Sequence, residues 1–192
     1  MTETSTENYS LSIRGTVAGA AFTALTAAGA YISIPIGPVP VVLQNFFVLL
    51  AGLLLGPKRA FAAISVYLML GAAGLPVFAG GTGGVGHFFG PTGGYLVGFL
   101  FAATITGLLS PVRREEDKAM LGRSLIALCA GTAAIYLVGI PWLKVSTDIS
   151  WTQSVTAGLL PFIPGDIVKI IAASFAARSI LPRFRAFLHG NG

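Results

Sequence analysis

Long apolar runs, separated by short polar or glycine- and proline-rich interruptions, organise this chain. A membrane-crossing helix needs about 20 apolar residues, with a working range of roughly 17–25. Six segments reach or approach that length: residues 13–34, 40–56, 58–75, 92–110, 121–141 and 155–181. The second and third abut at Gly56-Pro57-Lys58-Arg59, which reads as a tight turn. Connections fall at 35–39, 76–91, 111–120 and 142–154. The pattern predicts an all-α, polytopic membrane protein: a six-transmembrane-helix bundle forming one domain over 1–192. Residues 1–12 are expected as a disordered tail, 13–181 as the bundle and 182–192 as a second tail.

Two stretches break the simple pattern. Residues 71–98 carry glycine too densely for a straight helix, yet aromatic and aliphatic residues interleave throughout. Such a segment is expected to fold back on the bundle, because lipid tolerates irregular backbone only where protein or a cavity covers it. Its backbone amides are candidate hydrogen-bond donors to a ligand. The last segment is interrupted by Pro161 and Pro164. Residues 152–160 are expected as a short external helix or a helical entry, with a new helix starting near Pro164, a favourable first-turn residue. From there to Leu181 the helix covers roughly 27 Å at about 1.5 Å per residue.

Composition agrees with the pattern: 54% of the 192 residues are hydrophobic and 10% charged, against about 25% charged in a soluble domain. The net charge of +5 does not form a nucleic-acid patch, because the basic residues sit at segment ends. Arg14, Lys58, Arg59, Arg113, Arg114, Lys118, Arg123, Arg178, Arg183 and Arg185 fall on one side, and Lys144 alone on the other. By the positive-inside rule both termini are cytoplasmic, and the connections at 35–39, 76–91 and 142–154 are external. Residues 1–10 are polar and slightly acidic and do not read as a cleavable signal. The single Cys129 lies in an apolar run, where a buried bystander thiol is expected and no disulfide framework can form.

The twelfth basic residue, Lys169, is intramembrane, three residues after Asp166 in Pro164-Gly-Asp-Ile-Val-Lys. Ionised groups at membrane depth cost roughly 2.5–3.5 kcal/mol each and normally mark a function. A spacing of three places both on one helix face, with Asp166 in the first turn, where the helix dipole favours an acid. The pair is expected to face an externally open pocket. The bland alternative, an ion pair stapling helices, is weak as a stability device. Gln44, a lone polar amide, sits with its neighbour Asn45 just inside the outer end of the second segment, where either could simply bond a neighbouring helix.

Other motifs carry less. Gly81-Thr-Gly-Gly-Val-Gly86 matches the dinucleotide pattern in letters, but without the preceding strand, following helix and later acid that the chemistry needs. His87 has no nearby carboxylate or second histidine, so it reads as a loop residue near the site mouth; no metal site and no cofactor are expected. Ala20, Ala24 and Ala28, with Gly15 and Gly19, form a small-residue face of the kind that lets helices approach closely in lipid. Spacing alone leaves internal packing and partner docking equally open. Gly90, Gly94 and Gly98 repeat that spacing and suit internal packing.

The runs Gly74-Leu-Pro-Val-Phe-Ala-Gly-Gly-Thr-Gly-Gly, Gly90-Pro-Thr-Gly-Gly-Tyr-Leu-Val-Gly-Phe and Pro164-Gly-Asp-Ile-Val-Lys resemble the BioY family, the biotin-binding S components of energy-coupling factor (ECF) transporters. Ile-Pro-Ile-Gly-Pro-Val-Pro-Val-Val-Leu-Gln44 fits as well, with Val42 standing where the family often has threonine. The likeness covers about residues 12–181. It implies a high-affinity biotin-capture subunit with an external pocket capped by the first and third connections. Asp166, Lys169 and Gln44 would bind biotin, together with Gly80, Gly81, Thr82, Gly83 and Gly84. Phe78 and Tyr95, with Phe46, Phe88, Phe89 and Phe162, would supply apolar walls. Ala20 and Ala24 would dock on a transmembrane T component driven by two ATP-binding-cassette ATPase subunits, in the inner membrane. A homodimer is also compatible. The chain itself is then no enzyme. The other readings are a stand-alone proton-coupled transporter of biotin or a similar small solute, with Asp166 as proton carrier, and an intramembrane enzyme, for which no nucleophile–base pair is evident.

Overall fold

The computed structural model describes residues 3–35, 37–111 and 120–189. Among the described residues seven α-helices follow one another: α1 (Glu3–Tyr31), α2 (Gln44–Leu55), α3 (Pro57–Ala72), α4 (Gly93–Leu109), α5 (Met120–Thr147), α6 (Trp151–Gly158) and α7 (Ile163–His189). A two-stranded antiparallel hairpin, β1 (Ser33–Ile34) and β2 (Val41–Val42), joins α1 to α2 with Ser33 opposite Val42 and Ile34 opposite Val41. The fold is therefore helical but not purely so. The helix α1 begins at Glu3, ahead of the start expected at residue 13, and α7 continues past Leu181 to His189. The expected connection at 111–120, with Arg113, Arg114 and Lys118, lies almost wholly outside the described residues.

The turn between α2 and α3 follows from its sequence. Gly56 adopts φ 78°, a left-handed conformation that glycine reaches without steric cost. Its N–H caps the Gly52 carbonyl at 3.1 Å, and Pro57 then opens α3, where no intrahelical N–H is needed. This turn nests against Gly107 of α4, where a Cβ would stand 2.5 Å from the Pro57 nitrogen. With Val48 through Leu55 all buried, α2 is the central helix and packs on α1, α3, α4, α5 and α7.

Glycine also brings α4 and α5 together. A Cβ on Gly94 would meet the Trp142 Cβ at 2.2 Å, and one on Gly98 would meet the Ile135 backbone at 3.1 Å. The internal-packing role of that face is therefore direct. Trp142 donates from Nε1 to the Gly90 carbonyl at 2.9 Å and Leu143 is fully buried. These contacts explain why α5 runs through Pro141 to Thr147, whereas a connection was expected from 142: tertiary packing outweighs one lost backbone hydrogen bond.

Beyond α5, a reciprocal capping box starts α6. The Ser150 side chain accepts from the Gln153 N–H at 3.2 Å, and the Gln153 side chain accepts from the Ser150 N–H at 3.0 Å, so two orphan donors are satisfied at once. The short helix is held by Tyr95, whose hydroxyl donates to the Gly158 carbonyl at 2.9 Å. The chain then turns through residues 159–162 into α7, with Pro164 as its second residue, close to the expected break.

Helix lengths vary. The 28-residue α5 is long and apolar enough to cross a membrane, and α6 with α7 qualifies as a pair bent by 47°. In contrast, α2 has 12 residues and α4 has 17; at about 1.5 Å per residue, α2 spans roughly 18 Å. Leu137, Val145, Ile126, Val168 and Phe175 point outward, forming apolar faces on α5 and α7 of the kind a lipid surface covers.

Candidate functional site

One polar cluster stands at the start of α7. Asp166 is the helix's fourth residue and Lys169 follows one turn later, so both project to the same side, as the spacing predicts. Asp166 is 5% exposed. Its Oδ1 accepts from Lys169 Nζ at 3.4 Å and from Asn45 Nδ2 at 3.0 Å, while its Oδ2 accepts from the Tyr136 hydroxyl. The ammonium of Lys169 also donates to the Val42 carbonyl at 2.8 Å. Four elements thus converge: α7 supplies the charges, α5 the phenol, α2 the carboxamide and β2 a backbone acceptor. A carboxylate has about four acceptor positions, and three are filled from within the protein.

An apolar cleft adjoins the cluster. Val39, Pro40 and Val42 of the hairpin segment form one wall; Tyr95, Phe99, Ile135, Tyr136 and Phe162 form the others, with Asn45, Asp166 and Lys169 as the polar floor. Its cavity volume is about 50 Å³. Tyr95, Tyr136 and Phe162 pack in sequence, with ring centroids 6.3 Å and 6.4 Å apart. A few placed polar groups in an aromatic setting are the usual make-up of a small-molecule site.

Of the residues expected at the site, the structure brings together Asp166, Lys169, Tyr95 and Phe162. Gln44 does not line this cleft. It is 2% exposed and its side chain turns to the Tyr67 hydroxyl. One step along a helix rotates the side chain by about 100°, so Asn45 faces the cleft in its place.

The glycine-rich connection does not line the cleft either. Phe78 is buried in a ring cluster with Tyr67, His87 and Phe88, so His87 is a packing residue here. Four of the amides expected to be free are in use. Gly80 donates to Ala30 at 3.1 Å, Gly84 to Gly71 at 2.7 Å, and Gly81 and Thr82 both to Phe78. Gly83 lies against the Leu75 carbonyl. This connection therefore ties α1 to α3. Of the remaining expected walls, Phe46 packs on Phe47 and against the core, Phe88 belongs to the Phe78 cluster, and Phe89 points outward.

The site residues that sequence reasoning passed over are Asn45, as part of the floor, Tyr136, and the apolar walls Phe99, Ile135, Val39, Pro40 and Val42. Asn45 was visible as a polar residue in an apolar run; a lone tyrosine in such a run carries no signal. Ala20 and Ala24 are exposed on α1, leaving that small-residue face available. Cys129, expected buried, is exposed on α5, because it falls on the helix's outward side. Among the described residues no group of His, Cys, Asp and Glu could hold a metal ion.

The BioY family model matches residues 2–186. The chain is 45% identical over 161 residues to a probable biotin transporter BioY of Pyrococcus horikoshii, covering 84% of this chain and 92% of that one. It is 43% identical over 157 residues to the biotin transporter BioY of Thermotoga maritima, covering 81% and 89%. A crystal structure of the S-component for biotin from an ECF-type ABC transporter superposes with a TM-score of 0.80 at 33% identity, over 96% of this chain and 94% of that one. The chain belongs to the BioY family.

Proposed function

We propose that this chain is the biotin-binding, substrate-capture subunit of an ECF-type vitamin importer, a membrane protein that performs no chemistry itself. The observation that carries this reading is the buried Asp166–Lys169 cluster flooring an aromatic cleft, on a chain of the BioY family. Biotin offers a cyclic urea with two N–H donors and one carbonyl, a carboxylate, and an apolar ring system with an aliphatic chain. Lys169 supplies a donor for a carbonyl or carboxylate; Tyr95, Phe99, Tyr136 and Phe162 supply ring-packing walls.

A volume of about 50 Å³ is below the roughly 300 Å³ at which ligand pockets begin, so a wall must move to admit biotin. The hairpin is the element suited to it. It has two-residue strands and is tied to the floor through the Val42–Lys169 bond. Hairpin opening then sets the rate of ligand exchange.

In this reading the chain crosses the inner membrane six times. The helices α1 to α5 each account for one crossing and α6 with α7 for the sixth, leaving both termini cytoplasmic beside the basic residues and the cleft at the external end. The exposed Ala20 and Ala24 face docks on a T component, which two ATP-binding-cassette ATPases drive. The connection carrying Phe78, Gly80, Gly81, Thr82, Gly83 and Gly84, with Gln44, then supports the cleft from behind. Titration of purified protein with biotin tests the site. Lys169→Met is expected to weaken binding at least tenfold while folding normally; unchanged affinity would remove Lys169 from the site.

A further inference from the structure

Resting on the biotin-site reading above, we propose that Asn45 is the specificity-determining acceptor of the cleft: its Oδ1 receives a ligand N–H, and Asp166 fixes its orientation. Asn45 sits in the first turn of α2 and lines the cleft. Its Nδ2 donates to Asp166 Oδ1 at 3.0 Å. An ionised carboxylate only accepts, so the amide nitrogen must face Asp166 and the oxygen must point away from it. That oxygen is buried and has no hydrogen-bond partner.

Leaving a buried acceptor unpaired is costly, and a ligand donor relieves the cost. Asp166 is the less available acceptor, since Asn45, Tyr136 and Lys169 already fill three of its positions. The chemical division of the floor follows. Lys169 is the donor, Asn45 is the neutral acceptor, and Asp166 is the positioning residue that locks both. A cyclic urea N–H beside its own carbonyl matches that acceptor–donor order. Sites with a buried polar group discriminate strongly against analogues that lack its partner.

The test compares biotin with two analogues, each methylated on one ureido nitrogen, by competition binding on the full-length protein. Wild-type protein is expected to prefer biotin over one of the two analogues by roughly ten- to hundredfold, the range for a lost buried hydrogen bond. In Asn45→Ala, biotin binding weakens and that preference shrinks toward onefold. Because Asn45→Ala also strips a donor from Asp166, the preference ratio is the deciding readout rather than affinity. The near-isosteric Asn45→Leu keeps the packing volume and is expected to show the same collapse if the alanine variant does not fold. A wild-type protein indifferent to both methyl groups, or a variant that keeps the full ratio, overturns the role of Asn45. Absence of biotin binding by wild-type protein overturns the site reading itself.

Discussion

Asp166 and Lys169 are bonded unequally, and their substitutions should differ accordingly. Without Lys169, the carboxylate keeps the Asn45 and Tyr136 donors. Without Asp166, the ammonium keeps only the Val42 carbonyl and becomes an uncompensated charge. Leaving a buried charge uncompensated costs on the order of 3–5 kcal/mol, a cost that the two remaining donors lessen for the carboxylate but that one carbonyl does not offset for the ammonium. Thermal unfolding in detergent is therefore expected to show Asp166→Ala clearly less stable than Lys169→Met; equal losses would contradict the bonding described. Both charges were legible in the sequence because ionised residues in an apolar segment are too costly to be incidental. Asn45 and Tyr136 were harder to place: an amide or phenol in such a segment costs less, and only the helix phase decides which of Gln44 and Asn45 meets the cleft.

At the scale of elements, glycine sets how closely helices approach, and its two small-residue faces should respond differently. Gly94 has the Trp142 Cβ 2.2 Å from where its own Cβ would stand, whereas Gly19 has only the Ala63 Cβ, at 4.0 Å. Gly94→Ala is expected to destabilise by about 1–3 kcal/mol through overpacking. Gly19→Ala is expected to be neutral or stabilising by up to about 1 kcal/mol, since alanine favours a helix interior. Unfolding midpoints measured side by side check this. Apolar runs located most helices well, and Pro161 with Pro164 marked the α6–α7 break. The β1–β2 hairpin escaped notice because two-residue strands among prolines leave no alternating pattern. The end of α5 was misplaced at Pro141 because Trp142 and Leu143 packing overrides a local helix-breaking signal.

At the scale of the whole molecule, the proposed capture and docking surfaces lie on different elements. The cleft lies between the start of α7, the hairpin and the middle of α5, while Ala20 and Ala24 face outward on α1. A bulky Ala24→Trp substitution is expected to leave biotin affinity within about twofold and to abolish ATP-dependent uptake when the T component and ATPases are present. Uptake at the normal rate would dissociate that face from docking. The one-sided distribution of Arg and Lys is the sequence's signal for orientation, because orientation is written in loop charge. The glycine-rich connection was misjudged as a supplier of free amides, since composition does not tell which carbonyls those amides meet. In the structure, Gly80 and Gly84 spend theirs on α1 and α3. The central claim is capture of biotin by this chain alone. Native mass spectrometry of the gently purified, full-length protein tests it most directly. The account predicts one added mass equal to biotin per chain, lost in Lys169→Met; a wild-type protein that takes up no biotin at saturating concentration would contradict it.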